Sequence, residues 1–203
     1  MHLKTKPMKK LFISTALLLS GLTNAQTNWK VDNSHSKLGF TVTHAMVSEV
    51  EGKFRIYNGE VSSKSDLDFT NASISFTADP SSINTEDEKR DGHLKSPDFF
   101  DVAKYPNITF KSVSMKPTGK GKTAYELEGD LTMHGVTKRV KLLAIGALTT
   151  VKDPWGNIKY GFKVTGVINR KDFGLNWNAV LEAGGVIVSE EVTLNINIEL
   201  NKA

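Results

Sequence analysis

Four of the five histidines in this 203-residue chain, His35, His44, His93 and His134, lie beyond its first 25 residues. Imidazole is the first side chain to consider for metal ligation or for proton transfer near neutral pH. No pair among them has the i, i+2 spacing of a strand site or the i, i+4 spacing of a helical one, so any metal centre would need ligands from distant segments. His35 and His44, nine apart, fall on opposite faces of a continuous strand. Nucleophilic catalysis has no better support: Ser and Thr are numerous, but no Gly-x-Ser-x-Gly elbow occurs, and His35 and Ser36, adjacent in a strand, point apart. Carboxylate pairs at Glu190-Glu191 and around Glu86 to Glu88 sit in hydrophilic settings and read as solvated charge. There is no Gly-x-Gly-x-x-Gly and no P-loop to cradle phosphate. The chain has no Cys, which excludes zinc ribbons, thiol catalysis and disulfide scaffolds. Two glycosylation-like triplets, Asn71-Ala72-Ser73 and Asn107-Ile108-Thr109, are short enough to arise by chance.

Charges embedded in apolar sequence are more informative. Arg170 and Asp172 stand between an apolar run ending at Ile168 and Phe173-Gly174-Leu175, and Arg90, Asp91 and His93 share a hydrophilic insert. An Arg can hold a carboxylate or phosphate through two parallel hydrogen bonds. Two uses are open: contact with a polar ligand head at a mouth, or an Arg to Asp pair that pins a loop.

The elements that must position these residues are strands. Leu38, Phe40, Val42 and His44 share one parity, as do Ala72, Ile74, Phe76 and Ala78; Tyr125, Leu127, Leu131 and Met133; Ile158, Tyr160, Phe162, Val164 and Ile168; and Val192, Leu194, Ile196, Ile198 and Leu200. Period-2 alternation puts each set on one face of a strand. Shorter candidates lie at 52–61, 108–115 and 140–148, and turn chemistry falls at Asn58-Gly59, at 116–119 and at 153–157. About eight strands with one apolar face each predict an all-β fold, an antiparallel barrel or a sandwich, with closure hiding the sheet edges. One segment breaks the pattern: 85–105 has capping-box spacing at Thr85 and Glu88 and an N-cap with following Pro at Ser96-Pro97. Two short helices are expected there, and Phe99 and Phe100 require that the segment pack across an opening or over the outer wall.

The first 25 residues read as a secretory signal: four lysines, an apolar run from Leu11 to Leu19, and a small-residue end at Ala25. That run is about half of the ~20 residues a membrane-spanning helix needs. The 26 Lys+Arg outnumber the 22 Asp+Glu only because Lys4, Lys6, Lys9 and Lys10 lie in this segment. Residues 26–203, expected to form a single domain, therefore carry balanced charge, and the composition gives no support to nucleic-acid binding. Without Cys there is no thioether lipid anchor, so a soluble periplasmic or secreted product is expected.

These features coincide with a family pattern. The words His35 to His44, Gly52-Lys53-Phe54, Ser82 to Thr85, Lys89-Arg90-Asp91, His93 to Ser96, Asp98 to Asp101, Tyr105-Pro106, Ile108 to Phe110, Gly129 to Thr132, Gly135 to Lys138 and Arg170 to Leu175 occur in order. Together they resemble the YceI family of exported, lipocalin-like proteins. Arg139 departs from the Pro often found after Gly-Val-Thr-Lys. The resemblance implies an eight-stranded antiparallel barrel with a short helical insert, and an apolar tunnel that binds a polyprenyl, isoprenoid-quinone or fatty-acid-derived lipid. It implies a binder without catalytic residues, cofactor or metal, linked in some members to stress responses.

On that basis the tunnel lining is expected from Phe40, Val42, Phe54, Ile74, Phe76, Phe110, Leu131, Phe162 and Val164, with Phe99, Phe100, Phe173 and Leu175 near an end. His35, Arg90, His93, Arg170 and Asp172 are the mouth candidates for a ligand head group. The expected partners are the lipid and, transiently, a membrane or a lipid donor or acceptor, and a barrel with an exposed mouth admits a homodimer. A stress-linked interaction module with incidental lipid is the competing function, ahead of a histidine-based metal or hydrolytic site.

Overall fold

The structure, a computed structural model, describes residues 26–119, 123–180 and 184–203; the expected signal segment, 1–25, lies outside them. Alternating sequence produces β1 (Thr27–Val31), β2 (Lys37–His44), β3 (Ser48–Phe54), β4 (Tyr57–Ser63), β5 (Ser73–Ala78), β6 (Ile83–Asn84), β7 (Ile108–Pro117), β8 (Ala124–Met133), β9 (Val136–Gly146), β10 (Val151–Lys152), β11 (Ile158–Asn169) and β12 (Val188–Lys202). β12 pairs along one edge with β1 and then, further back along its length, with β2. β1 and β2 are thus one wall strand with a bend. The same holds for β3 with β4 and for β5 with β6, which pair in matching order. Eight wall positions result, and antiparallel pairing of β11 with β12 closes them into a barrel. The expected all-β barrel is the fold, and the sandwich is not.

β8 shows how alternation becomes an inside and an outside. Tyr125, Leu127, Leu131 and Met133 are buried, while Glu126 between them is exposed. Closure joins β11 to β12 over eleven residue pairs and so removes the long free edges an open sheet would expose.

Two local expectations are corrected. Residues 52–61 are not one strand: the chain breaks at Arg55-Ile56, and Asn58-Gly59 lies inside β4 rather than in a turn. Gly59 is there for space, because a Cβ on it would sit 2.5 Å from Phe76 Cδ2 on the neighbouring β5. Phe40 crosses Gly52 and Phe110 crosses Gly129 in the same way, with would-be Cβ distances of 2.3 and 2.2 Å to the ring Cζ atoms. Laying an aromatic ring over a glycine of the adjacent strand fills the gap and lets the wall curve.

The insert holds one α-helix, α1 (Glu88–Lys95), and not two. Its N-cap is Asp87, whose carboxylate accepts from the Arg90 backbone N–H at 3.0 Å, so the Thr85 and Glu88 box does not form. Buried Thr85 instead gives both its backbone N–H (2.8 Å) and its hydroxyl (2.6 Å) to the buried Asp91 carboxylate. That contact, rather than an apolar stripe, seats the helix. After Ser96 the chain makes successive turns through residue 104, because the Phe100 and Val102 N–H groups reach back to Leu94 and Lys95 carbonyls and end the helix.

Gly129→Val would drive two methyl groups into the Phe110 ring. We expect it to lower stability by about 1–3 kcal/mol through overpacking, read as a reduced urea midpoint with an unchanged slope.

Candidate ligand cavity

The inward rows enclose a cavity of about 560 Å³, within the roughly 300–1,000 Å³ range typical of small-molecule sites. One end is plugged. Trp29, Phe69 and Tyr160 are at most 2% exposed, and Phe69 stacks at 4.7 Å against Tyr160 and edge-on at 4.8 Å against Phe162. The polar atoms of the plug are satisfied: Trp29 Nε1–H donates to Ser63 Oγ (2.9 Å), and the Tyr160 hydroxyl donates to the Ala147 carbonyl (2.7 Å). Burial pushes the Tyr160 hydroxyl pKa up to about 12, which keeps it a donor throughout the physiological range.

The other end is framed by α1, by residues 96–105 and by the segment after β11. Phe100 meets Phe54 edge-on at 5.8 Å, and His93, Phe99 and Trp177 form a triangle with ring centroids 4.8–5.1 Å apart. Cavity-wall residues His44 and Lys89 are solvent-exposed here, so the cavity opens at this end.

Phe40, Val42, Phe54, Ile74, Phe76, Phe110, Leu131, Phe162 and Val164 face the cavity, with Phe99, Phe100 and Leu175 toward the mouth. Phe173 does not face it. A 3-10 turn over Arg170–Phe173 packs this side chain into the buried cluster of Phe99, Leu131 and Ile168 at 1% exposure. Leu194, Ile196 and Ile198 of β12 and Leu127, Val140 and Leu142 also line the cavity and were absent from the expected lining. Their signal is the same alternation that identifies the strands. His44 shares the parity of Phe40 and Val42, whereas Trp177 lies in irregular chain with no periodicity to mark it.

Of the mouth candidates, Arg90, His93 and Arg170 line the cavity. Arg90 gives Nε–H to Thr85 Oγ1 (2.8 Å) and an Nη2 hydrogen to the Thr85 carbonyl (2.7 Å), and its Nη1 hydrogens meet no acceptor among the described residues. His93 Nε2 lies 3.0 Å from Asp98 Oδ2. Arg170, 3% exposed, binds among the described residues only backbone carbonyls: Ser189 (2.9 Å), Trp177 (2.9 Å), Val188 (3.4 Å) and Leu175. Burial lowers its pKa, yet a guanidinium stays charged. Arg170 pins a loop, as one of the two readings allowed, but through carbonyls and not through Asp172. Asp172 is exposed and does not border the cavity.

His35 is also not at the mouth. It sits outside the barrel with Asp32 and Glu199, where Lys159 and Asn201 alternate with inward Tyr160 and Leu200. Two distant segments, 32–35 and the strand carrying Glu199, thus bring together a potential ligand set that histidine spacing did not reveal, with the ligand atoms within 4.8 Å of one another. The Lys159 ammonium already lies 2.8 Å from both carboxylates, which fills the cation position. Lys159 beside Asp32 holds that carboxyl well below the usual range, and the two carboxylates raise the Lys159 pKa in turn.

Comparison with known proteins accords with this geometry. The YceI-like domain description matches residues 29–200, from β1 to β12. The chain belongs to the YceI-like domain family. UPF0312 protein SA2479 of Staphylococcus aureus strain N315 is 37% identical over 177 residues, covering 86% of this chain and 98% of the relative. A crystal structure of a Campylobacter jejuni YceI protein superposes with TM-score 0.67 at 30% identity, covering 85% of this chain and 96% of that one. A polyisoprenoid binding domain from Saccharophagus degradans has TM-score 0.59 at 16% identity, covering 86% and 98%, and shares the YceI-like fold.

Arg170→Met would strand several buried carbonyls. It should cost at least about 3 kcal/mol in thermal or urea unfolding, and Arg170→Lys should recover little because one ammonium cannot reproduce the fork. For Asp32 the folded pKa lies below the unfolded value. Its contribution is therefore complete above about pH 4 and lost as pH falls below it. Asp32→Asn should flatten the acid side of the stability profile while lowering stability at neutral pH, as measured by urea midpoints from pH 2 to 7.

Proposed function

We propose that this protein is exported by its N-terminal segment to the periplasm, or secreted, and holds one long apolar lipid in the barrel for transport or storage. A polyisoprenoid, an isoprenoid quinone or a fatty-acid derivative would suit the site. The observation that carries the reading is the cavity itself: an almost wholly carbon wall, sealed by aromatic rings at one end and open at the other. An apolar space of this size forgoes packing contacts that an apolar chain inside it would supply. The Saccharophagus degradans neighbour, a polyisoprenoid binding domain of the same fold, supports the ligand class.

Wall area can supply the affinity. About ten methylene-sized groups leaving water contribute about 8 kcal/mol, against an association cost of about 4–15 kcal/mol. Longer tails therefore bind better, and the head group needs few contacts. Arg90 and His93, which line the cavity at the mouth, are the residues offered to it. Specificity is then set by cavity length and mouth chemistry, and any role in stress follows from the cargo.

Phe76→Arg places a charge on the apolar wall, whose burial without a partner is strongly unfavourable. Titration of delipidated protein with a fluorescent polyene fatty acid or a labelled polyprenol should show saturable binding near one per chain, lost in Phe76→Arg. A folded Phe76→Arg variant that binds either probe normally would contradict the assignment.

A further inference from the structure

The three residues joining β2 to β3 are Ala45, Met46 and Val47, and the side chains of Met46 and Val47 are 66% and 86% exposed. Ala45 and Met46 adopt left-handed backbone, φ 49° and 63°, which Asn or Gly would adopt at less strain. The Ala45 N–H donates to the Ile187 carbonyl at 2.7 Å, and Met46 Sδ stands 2.5 Å from the Cβ position of Gly185. These contacts set the hairpin tip beside a second apolar pair, Val180 and Val186, 82% and 36% exposed and joined by a β-bridge. The tip and residues 184–189 contain no charged side chain. Immediately inward, His44, Ile187 and Val188 are already cavity wall, so the apolar rim is continuous with the mouth.

We propose that this rim, formed by Met46, Val47, Val180 and Val186, is a bilayer-docking surface that sets the cavity mouth against the acyl layer of a membrane. The proposal rests on the lipid-holding reading. A fluid bilayer fits the rim better than a protein partner, because four side chains on a protruding tip fall far short of the roughly 1,200–2,000 Å² of a stable protein interface. Apolar side chains entering the headgroup and acyl boundary need no matching concavity. The described rim residues carry no charge, so their docking requires no anionic lipid and salt should have little effect on it.

Flotation of the purified protein with neutral phosphatidylcholine vesicles tests this. Wild type should float at low and high salt alike. Met46→Asp with Val47→Asp, or Val180→Asp on the facing loop, should reduce the vesicle-bound fraction about tenfold or more. Both variants should also slow transfer of a fluorescent polyene lipid between vesicles, with unchanged thermal unfolding and unchanged binding of that lipid from a dispersed stock. At the plugged end Trp155 and Leu148 are also exposed, at 85% and 84%, so Trp155→Asp is the control and should float like wild type. The proposal is overturned if the rim variants float normally or if only Trp155→Asp fails. It is equally overturned if wild type ignores vesicles and light scattering shows a dimer that the rim variants split. Protein that binds the probe lipid but not vesicles refutes docking alone; protein that floats yet takes up no probe refutes the cavity reading alone.

Discussion

Pairing of β11 with β12, in unbroken register from Lys159↔Asn201 to Asn169↔Glu191, turns a twisted sheet into a closed wall. Closure commits alternate side chains to an interior that water no longer solvates. β12 is able to do this because its 15 residues also meet β1 and β2 in succession along the other edge. An interior lined this way is either packed by its own side chains or left as apolar space.

The two ends resolve that choice differently. At one, Trp29, Phe69 and Tyr160 pack against one another with their polar atoms paired, so the interior is solid. At the other, the chain is held open by polar struts: Asp91 to Thr85 seats α1, and Arg170 gathers four carbonyls from the loop and the start of β12. The rings of Phe99, Phe100 and Trp177 lean on these struts instead of filling the cavity. Glycines opposite Phe40, Phe76 and Phe110 keep the rings flat to the wall and so conserve the space.

The fold and most of the wall were legible because strand alternation is a local property, and Phe40, Phe110 or Val164 announces its face within a few neighbours. What depended on distant chain was not. Phe69 completes the plug from a loop without periodicity, and the Asp32, His35 and Glu199 group assembles from both ends of the described chain. Asn58-Gly59 has turn composition, but the glycine serves Phe76, a requirement visible only once β4 and β5 pair. Arg170 could be recognised as unusual but not its partners, since backbone carbonyls leave no mark on residue type.

The central claim is that the barrel exists to hold a lipid. Purifying the protein from the organism that makes it, measuring its intact native mass, and identifying organic-extractable material by mass spectrometry tests this most directly. The account predicts one apolar lipid species near one per chain, released on unfolding. A chain recovered at its bare polypeptide mass, and still empty after incubation with polyprenol, quinone and fatty acid, would contradict it.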